Sequence, residues 1–151
     1  MKVERVYTRK VLATTRTAPI FEAAAAMRRF QVGSLLVMGG EGPDAMPVGI
    51  VTDRDIALQG FASEETIVGA AMTPVVATVP EESDVHEALE LMRAHGVRRL
   101  VVTNRRGNVC GILSIDDIVD GLSADLAAAA AVLKGEIRRD SAGLGDVRIG
   151  E

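Results

Sequence analysis

Gly111-Ile112-Leu113-Ser114-Ile115-Asp116-Asp117 repeats, in residue type, the stretch Gly49-Ile50-Val51-Thr52-Asp53-Arg54-Asp55 found 62 residues upstream. Each stretch reads as an apolar strand that ends in a hydroxyl residue, with an aspartate three positions later, where a helix begins. A self-similar chain is read as a repeat before anything else is decided.

Working outward from the second copy, Val85, Ala88, Leu89 and Met92 fall at i, i+3, i+4 and i+7. That is one face of a helix which Ser83 or Asp84 caps and Gly96 ends. Ile20, Ala23, Ala24 and Met27 repeat the pattern 65 residues earlier. Each helix leads into an apolar strand (Leu35 to Met38; Leu100 to Thr103), a glycine-containing turn, and the strand that carries the opening stretch. The turn from Asn104 to Asn108 is compact, and that from Gly39 to Asp44 is longer, an insertion of the kind that hairpin tips accept. Val11 to Thr14 and Val75 to Thr78 read as a short strand ahead of each first helix.

The order is strand, helix, strand, strand, helix, twice over. The expected fold class is α+β, in α/β layers: two repeats, each a short β-sheet with two helices. One such unit is too thin to cover its own apolar faces, so the two are expected to pack through their sheets. The expected division is repeat 1 over 8–60, a linker over 61–74 and repeat 2 over 75–122. An Ala-rich helix that Ser123 caps follows over 123–138, and a mobile tail over 139–151.

Aromatic residues are 3% of the chain and Trp is absent, so the core must be aliphatic. A net charge of −4 argues against wholesale binding to nucleic acid or acidic membrane, and the Arg pairs at 28–29, 98–99, 105–106 and 138–139 are scattered. No apolar run reaches the length that crosses a bilayer, and no signal-peptide core follows Met1-Lys2-Val3-Glu4-Arg5, so a cytoplasmic location is expected. Cys110 is the single cysteine, in an apolar run, and reads as a buried, inert thiol. His86 and His95 have no companion ligands for a metal set. No nucleophile lies beside a base, so no catalytic residue and no enzyme activity are expected.

A hydroxyl residue followed three positions later by an acid is also the pattern of a helix capping box. Two copies in register, both with Asp in place of the usual Glu or Gln, favour a shared task beyond capping. A helix start offers free N–H groups and a positive dipole end to a phosphate, with Thr52 or Ser114 adding a hydroxyl. Asp55 and Asp117, one turn in, suit the two hydroxyls of a vicinal diol. Phosphate and diol together describe a ribonucleotide.

The chain at this point resembles a tandem pair of cystathionine-β-synthase-type (CBS) domains, the Bateman module, over about residues 8 to 122. The resemblance rests on the two opening stretches with Ile56 and Ile118, on His95-Gly96-Val97-Arg98-Arg99-Leu100-Val101-Val102, and on Met72-Thr73-Pro74. It implies repeats packed with pseudo-twofold symmetry and two clefts between them for adenosine-containing ligands. In one cleft it implies Asp117 on a ribose, Ser114 on a phosphate, Arg98 and Arg99 facing phosphates, and Leu12, Ala13 and Val32 around an adenine. The other would use Asp55, Thr52 and Arg54, with Val76, Ala77 and Val97 around the base. Where the second repeat has Arg98-Arg99 the first has Gly33-Ser34, so the clefts are expected to be unequal, the one with Asp117 taking the more phosphorylated ligand.

The leading expectation is therefore a homodimeric regulatory module that senses AMP, ADP, ATP or a relative, with Mg²⁺ carried in by a triphosphate and no covalent cofactor. Its protein target is not legible in the residues. The competing expectation, from another class, is a dimerisation or scaffold module with vestigial clefts.

Overall fold

The computed structural model describes residues 1–59, 65–75 and 77–143, with side chains up to residue 139 in the last helix. The first repeat runs β1 (Ala13–Thr15), α1 (Ile20–Phe30), β2 (Ser34–Gly39), β3 (Met46–Thr52) and α2 (Asp53–Gln59). After α3 (Val68–Ala71) and β4 (Thr73–Pro74), the second runs β5 (Thr78–Pro80), α4 (Val85–His95), β6 (Arg99–Thr103), β7 (Val109–Ser114) and α5 (Ile115–Gly143). The fold is mixed α+β with two small sheets, ordered β1-β2-β3-β4 and β5-β6-β7.

Both repeats pair their strands alike. The first strand lies parallel to the second, Ala13 beside Leu36 and Thr78 beside Val101, and the second and third form an antiparallel hairpin. Ser34 pairs with Thr52, and Arg99 pairs with Ser114, so each hydroxyl residue faces the start of the neighbouring strand. The short strands begin two to three residues later than the apolar runs at 11–14 and 75–78 predict. Ahead of them, Val11 and Val75 pack against the apolar layer between the sheets, and Val75 N–H also donates to Val48 O at 3.0 Å.

Strand alternation divides the core. Leu35, Val37 and Val51 point to α1, and Leu100, Val102 and Leu113 point to α4. The residues between them, Leu36, Ile50, Val101 and Ile112, form a third cluster where the two sheets meet. Because side chains alternate across a strand, each strand serves its own repeat with one face and the other repeat with the opposite face. Packing the repeats through their sheets thus buries what neither could bury alone.

The repeats also exchange their leading segments. Val3 and Tyr7, ahead of the first repeat, are buried in the core of the second, and Val68, ahead of the second, is buried in the core of the first. Backbone hydrogen bonds tie both crossings at equivalent positions: Val3 N–H to Ser83 O at 3.0 Å and Val68 N–H to Ala18 O at 2.9 Å. Thr8 and Ile112 form an antiparallel bridge on one sheet, as Thr73 and Ile50 do in β4 on the other. The stretch read as a linker over 61–74 holds α3 and β4, which belong to this packing; residues 60–64 lie outside the described residues.

Helix ends follow the residues present. At α4, Asp84 accepts from His86 N–H at 2.9 Å while Glu87 accepts from Asp84 N–H at 3.2 Å, a capping box, and Gly96 closes the helix at φ 63°. At α1, Gln31 takes the left-handed position at φ 52°. The expected break between residues 122 and 123 is absent. One helix runs from Ile115 to Gly143, and Ser123 sits inside it rather than at a cap. Isolated glycines lower helix propensity by about 1 kcal/mol, less than the long Ala-rich run around them supplies. Of the tail expected over 139–151, residues 139–143 belong to this helix, and 144–151 lie outside the described residues.

Candidate functional site

The meeting of the two sheets leaves a cleft on either side of the apolar layer. The larger, about 490 Å³, has Ser114 and Asp117 on one wall with Arg99 and Ile112. Val32, Gly33, Ser34 and Asp53 of the first repeat form the facing wall, closed by Gln31 and by Thr8, Lys10 and Val11 of the leading segment. A volume of this order is typical of small-molecule sites. The smaller, about 50 Å³, is lined by Ile50, Thr52, Ala77, Val97, Val101 and Arg99, with Thr73, Pro74 and Val75 at its side.

Both opening stretches make their helix caps. Ser114 N–H and Oγ–H donate to Asp117 Oδ2 at 2.8 and 2.7 Å, and Asp117 N–H donates back to Ser114 Oγ at 3.1 Å. Thr52 N–H donates to Asp55 Oδ2 at 2.9 Å, and Asp55 N–H to Thr52 Oγ1 at 3.1 Å. Capping uses one oxygen of each carboxylate. It holds the side chain at the helix start, at the edge of its cleft, and leaves the geometry of the other oxygen set by the first.

Of the residues expected in the larger cleft, Val32, Arg99, Ser114 and Asp117 line it together. Arg98 stands outside, beside Asp116 at 3.9 Å, both side chains largely exposed. Leu12 packs against the core of the first repeat and Ala13 is exposed in β1; Val11 lines the cleft beside them. Of those expected in the smaller cleft, Thr52, Ala77 and Val97 line it. Asp55 is half-buried, capping on Thr52 without lining the cleft, Arg54 is exposed, and Val76 lies outside the described residues.

Arg99 lines both clefts. The inequality read from Arg98-Arg99 therefore has another basis. Lys10 enters the larger cleft, and the position 65 residues on, Val75, enters the smaller. The larger cleft also carries Asp53, so two cations and two carboxylates line it. Sequence reasoning missed Lys10, Thr8, Gln31 and Asp53. Lys10 and Thr8 are legible only once the leading segment is known to cross to the other repeat, because their partners are about 100 residues away in sequence.

Comparison with known proteins follows the same outline. The family model of the CBS domain matches residues 3–59 and again 68–124. The chain is a tandem pair of CBS domains. These matched ranges include the leading segments that the two CBS domains exchange. Its relatives include the CBS domain-containing protein YhcV of Bacillus subtilis, 30% identical over 133 residues, 85% of this chain and 91% of that protein. A protein of Methanopyrus kandleri is 32% identical over 123 residues; the match spans 79% of this chain and only 61% of that protein. Among solved structures, a CBS domain protein of Pyrobaculum aerophilum complexed with AMP superposes with a TM-score of 0.64 at 28% identity, covering 78% of this chain and 89% of that one.

Among the described residues no three His, Cys, Asp or Glu side chains converge as a metal site. None of the described helices is long and apolar enough to cross a membrane. Cys110 is half-buried, its thiol directed to Val102 O at 3.5 Å.

Proposed function

We propose that this CBS pair is a regulatory module that binds an adenosine-containing nucleotide, AMP, ADP or ATP, in the larger cleft and passes a conformational change to a protein partner as a cytoplasmic homodimer. One observation carries the reading. A diol-accepting carboxylate, Asp117, and a helix-start hydroxyl, Ser114, share a nucleotide-sized cleft with two cations, Arg99 and Lys10. The AMP complex of the Pyrobaculum aerophilum relative supports it.

In this reading Asp117 accepts from the ribose hydroxyls through the oxygen not used in capping. Ser114 and the first N–H groups of α5 meet a phosphate. Arg99 and Lys10 supply charge-assisted contacts to it, and Val11 and Val32 flank the base, with Leu12 and Ala13 behind them. A triphosphate would bring Mg²⁺ with it; among the described residues no set of metal ligands converges. The smaller cleft, with Thr52, Asp55, Arg54, Ala77, Val97 and Val76, is the lesser site. A ligand touching both repeats favours the arrangement that closes on it, by no more than its differential affinity.

Calorimetry and thermal melting with AMP, ADP and ATP, with and without Mg²⁺, test this. At about a hundredfold excess over Kd, a bound nucleotide stabilises by about 2.7 kcal/mol. Stabilisation that is lost in Lys10→Ala and Arg99→Ala supports the reading, and no heat or shift with any of the three nucleotides ends it.

The second reading, a scaffold with vestigial clefts, draws on the engagement of both aspartates in caps and the small volume near Thr52. It is favoured if a protein partner binds the wild type and the Lys10→Ala/Arg99→Ala variant equally and no nucleotide alters that binding.

A further inference from the structure

Asp53 is the charged group that the proposed use of the larger cleft leaves without a task. It belongs to the first domain, on the wall opposite Ser114 and Asp117. Its position is fixed from two sides. Asp53 N–H donates to Gly33 O at 3.1 Å, and Asp53 Oδ1 accepts from Arg54 N–H at 2.8 Å. The second carboxylate oxygen stands beside Gly33, 3.7 Å from where a Cβ on that glycine would lie, and Gly33 itself lines the cleft. Among the described residues no cation pairs with this carboxylate.

The second repeat has no such group. The equivalent residue 62 positions on, Ile115, packs against the core of the second domain. The residue equivalent to Ser34, 65 positions on, is Arg99. The walls that face the two hydroxyl residues therefore differ in sign: Ser34 and Asp53 stand opposite Ser114, and Arg99 stands opposite Thr52.

A compact cavity of about 490 Å³ is about 8 Å across, the distance over which charges act at physiological ionic strength. A phosphate held at Ser114 is thus within reach of Asp53. In the proposed reading Arg99 and Lys10 are engaged by the first phosphate. Each further phosphate adds negative charge within the same range and meets no third cation among the described residues that line the cleft.

We propose that Asp53 is the specificity-determining residue of the larger cleft, its carboxylate repelling a second and third phosphate, so that the cleft takes a nucleoside monophosphate in preference to a triphosphate. The inference rests on the nucleotide reading of the same cleft and narrows its ligand. It reverses the order expected from Arg98-Arg99, which leaves the facing wall out of account.

Calorimetric titration with AMP and with ATP, in chelator and at about 10 mM ionic strength where screening is weak, tests the wild type, Asp53→Asn and Asp53→Ser. Both replacement side chains still accept from Arg54 N–H, so the start of α2 keeps that bond; thermal melting without ligand checks the fold. The wild type is expected to bind AMP more tightly than ATP. In both variants ATP is expected to gain about fivefold to tenfold on AMP, the effect of two added charges repelled across about 6–8 Å of water-like medium. An AMP-to-ATP ratio unchanged in either variant overturns the role of Asp53 while nucleotide binding stands. So does binding of ATP with Mg²⁺ that weakens in Asp53→Asn, because the carboxylate would then be recruiting the cation. No heat with either nucleotide in any of the three proteins overturns both the role and the nucleotide reading.

Discussion

The ring of Tyr7 fills the space that a side chain at Gly111 would need, with the Thr8 carbonyl beside it. At the equivalent place in the first domain the Met72 side chain crosses Gly49. The glycine that opens each repeated stretch is therefore where the leading segment of the other repeat passes over the sheet.

Gly111→Ala is expected to destabilise the fold by about 2–3 kcal/mol, since neither an aromatic ring nor a backbone carbonyl can yield without moving the crossing segment. Gly49→Ala is expected to cost about 1 kcal/mol, because the Met72 thioether finds another rotamer more easily and the Thr73 carbonyl stands farther off, 3.0 Å from the added carbon. Urea unfolding of the two variants checks the order. Equal losses would mean that the crossing segments are equally yielding.

Tyr7 is the single tyrosine and there is no tryptophan, so tyrosinate absorbance reports this residue alone. Its hydroxyl donates to Glu81 Oε2 at 3.1 Å. Burial first, then hydrogen bonding with Cys110 and Glu81, pushes its pKa up to about 12, against an opposing pull from Arg9. The folded state thus holds the phenol proton more tightly than the unfolded chain does. The contribution to stability is complete below pH 10, the ordinary tyrosine value, and is lost as pH rises through 10 to 12. An absorbance midpoint near 10 in the folded protein would contradict this, and Tyr7→Phe is expected to remove this part of the alkaline loss.

Gln31 closes α1 in the left-handed region, where Gly96 closes α4. Gln31→Gly is expected to stabilise by about 0.5–1 kcal/mol, the relief of the Cβ strain less the entropy that glycine loses on folding. Gly96→Ala is expected to destabilise by about 1 kcal/mol. Chemical denaturation measures both. No gain in Gln31→Gly would mean that contacts of the glutamine at the mouth of the larger cleft offset the strain.

Arg99 and Lys10 differ in reach, one lining both clefts and the other the larger alone. For a phosphate-bearing ligand, Lys10→Ala is expected to weaken one site about tenfold, the worth of one charge-assisted contact. Arg99→Ala is expected to weaken every site that fills. Two-site calorimetric titration distinguishes them, and a Lys10→Ala variant that weakens a second site equally would show that the clefts are not separate.

Periodic residues determined the elements. The helical spacing of Val85, Ala88 and Met92, the alternation through Leu100, Val101 and Val102, and the doubled Gly-apolar-apolar-hydroxyl stretch were enough for two α+β units packed through their sheets. They were enough also for the pairing of Ser114 with Asp117, because those signals are local, a few residues long and written in the chain order itself. Tertiary structure alone decided that the leading segments cross between the domains. That crossing carries Thr8 and Lys10 into the larger cleft and places Arg99 between both, while Arg98 faces outward to Asp116. Tertiary structure also decided that α5 continues through Gly121, where local propensity argued for a stop. The crossing depends on which apolar side chain fills which distant core, as Val3 and Tyr7 do beneath β7, and no spacing within a segment encodes a partner about 100 residues away.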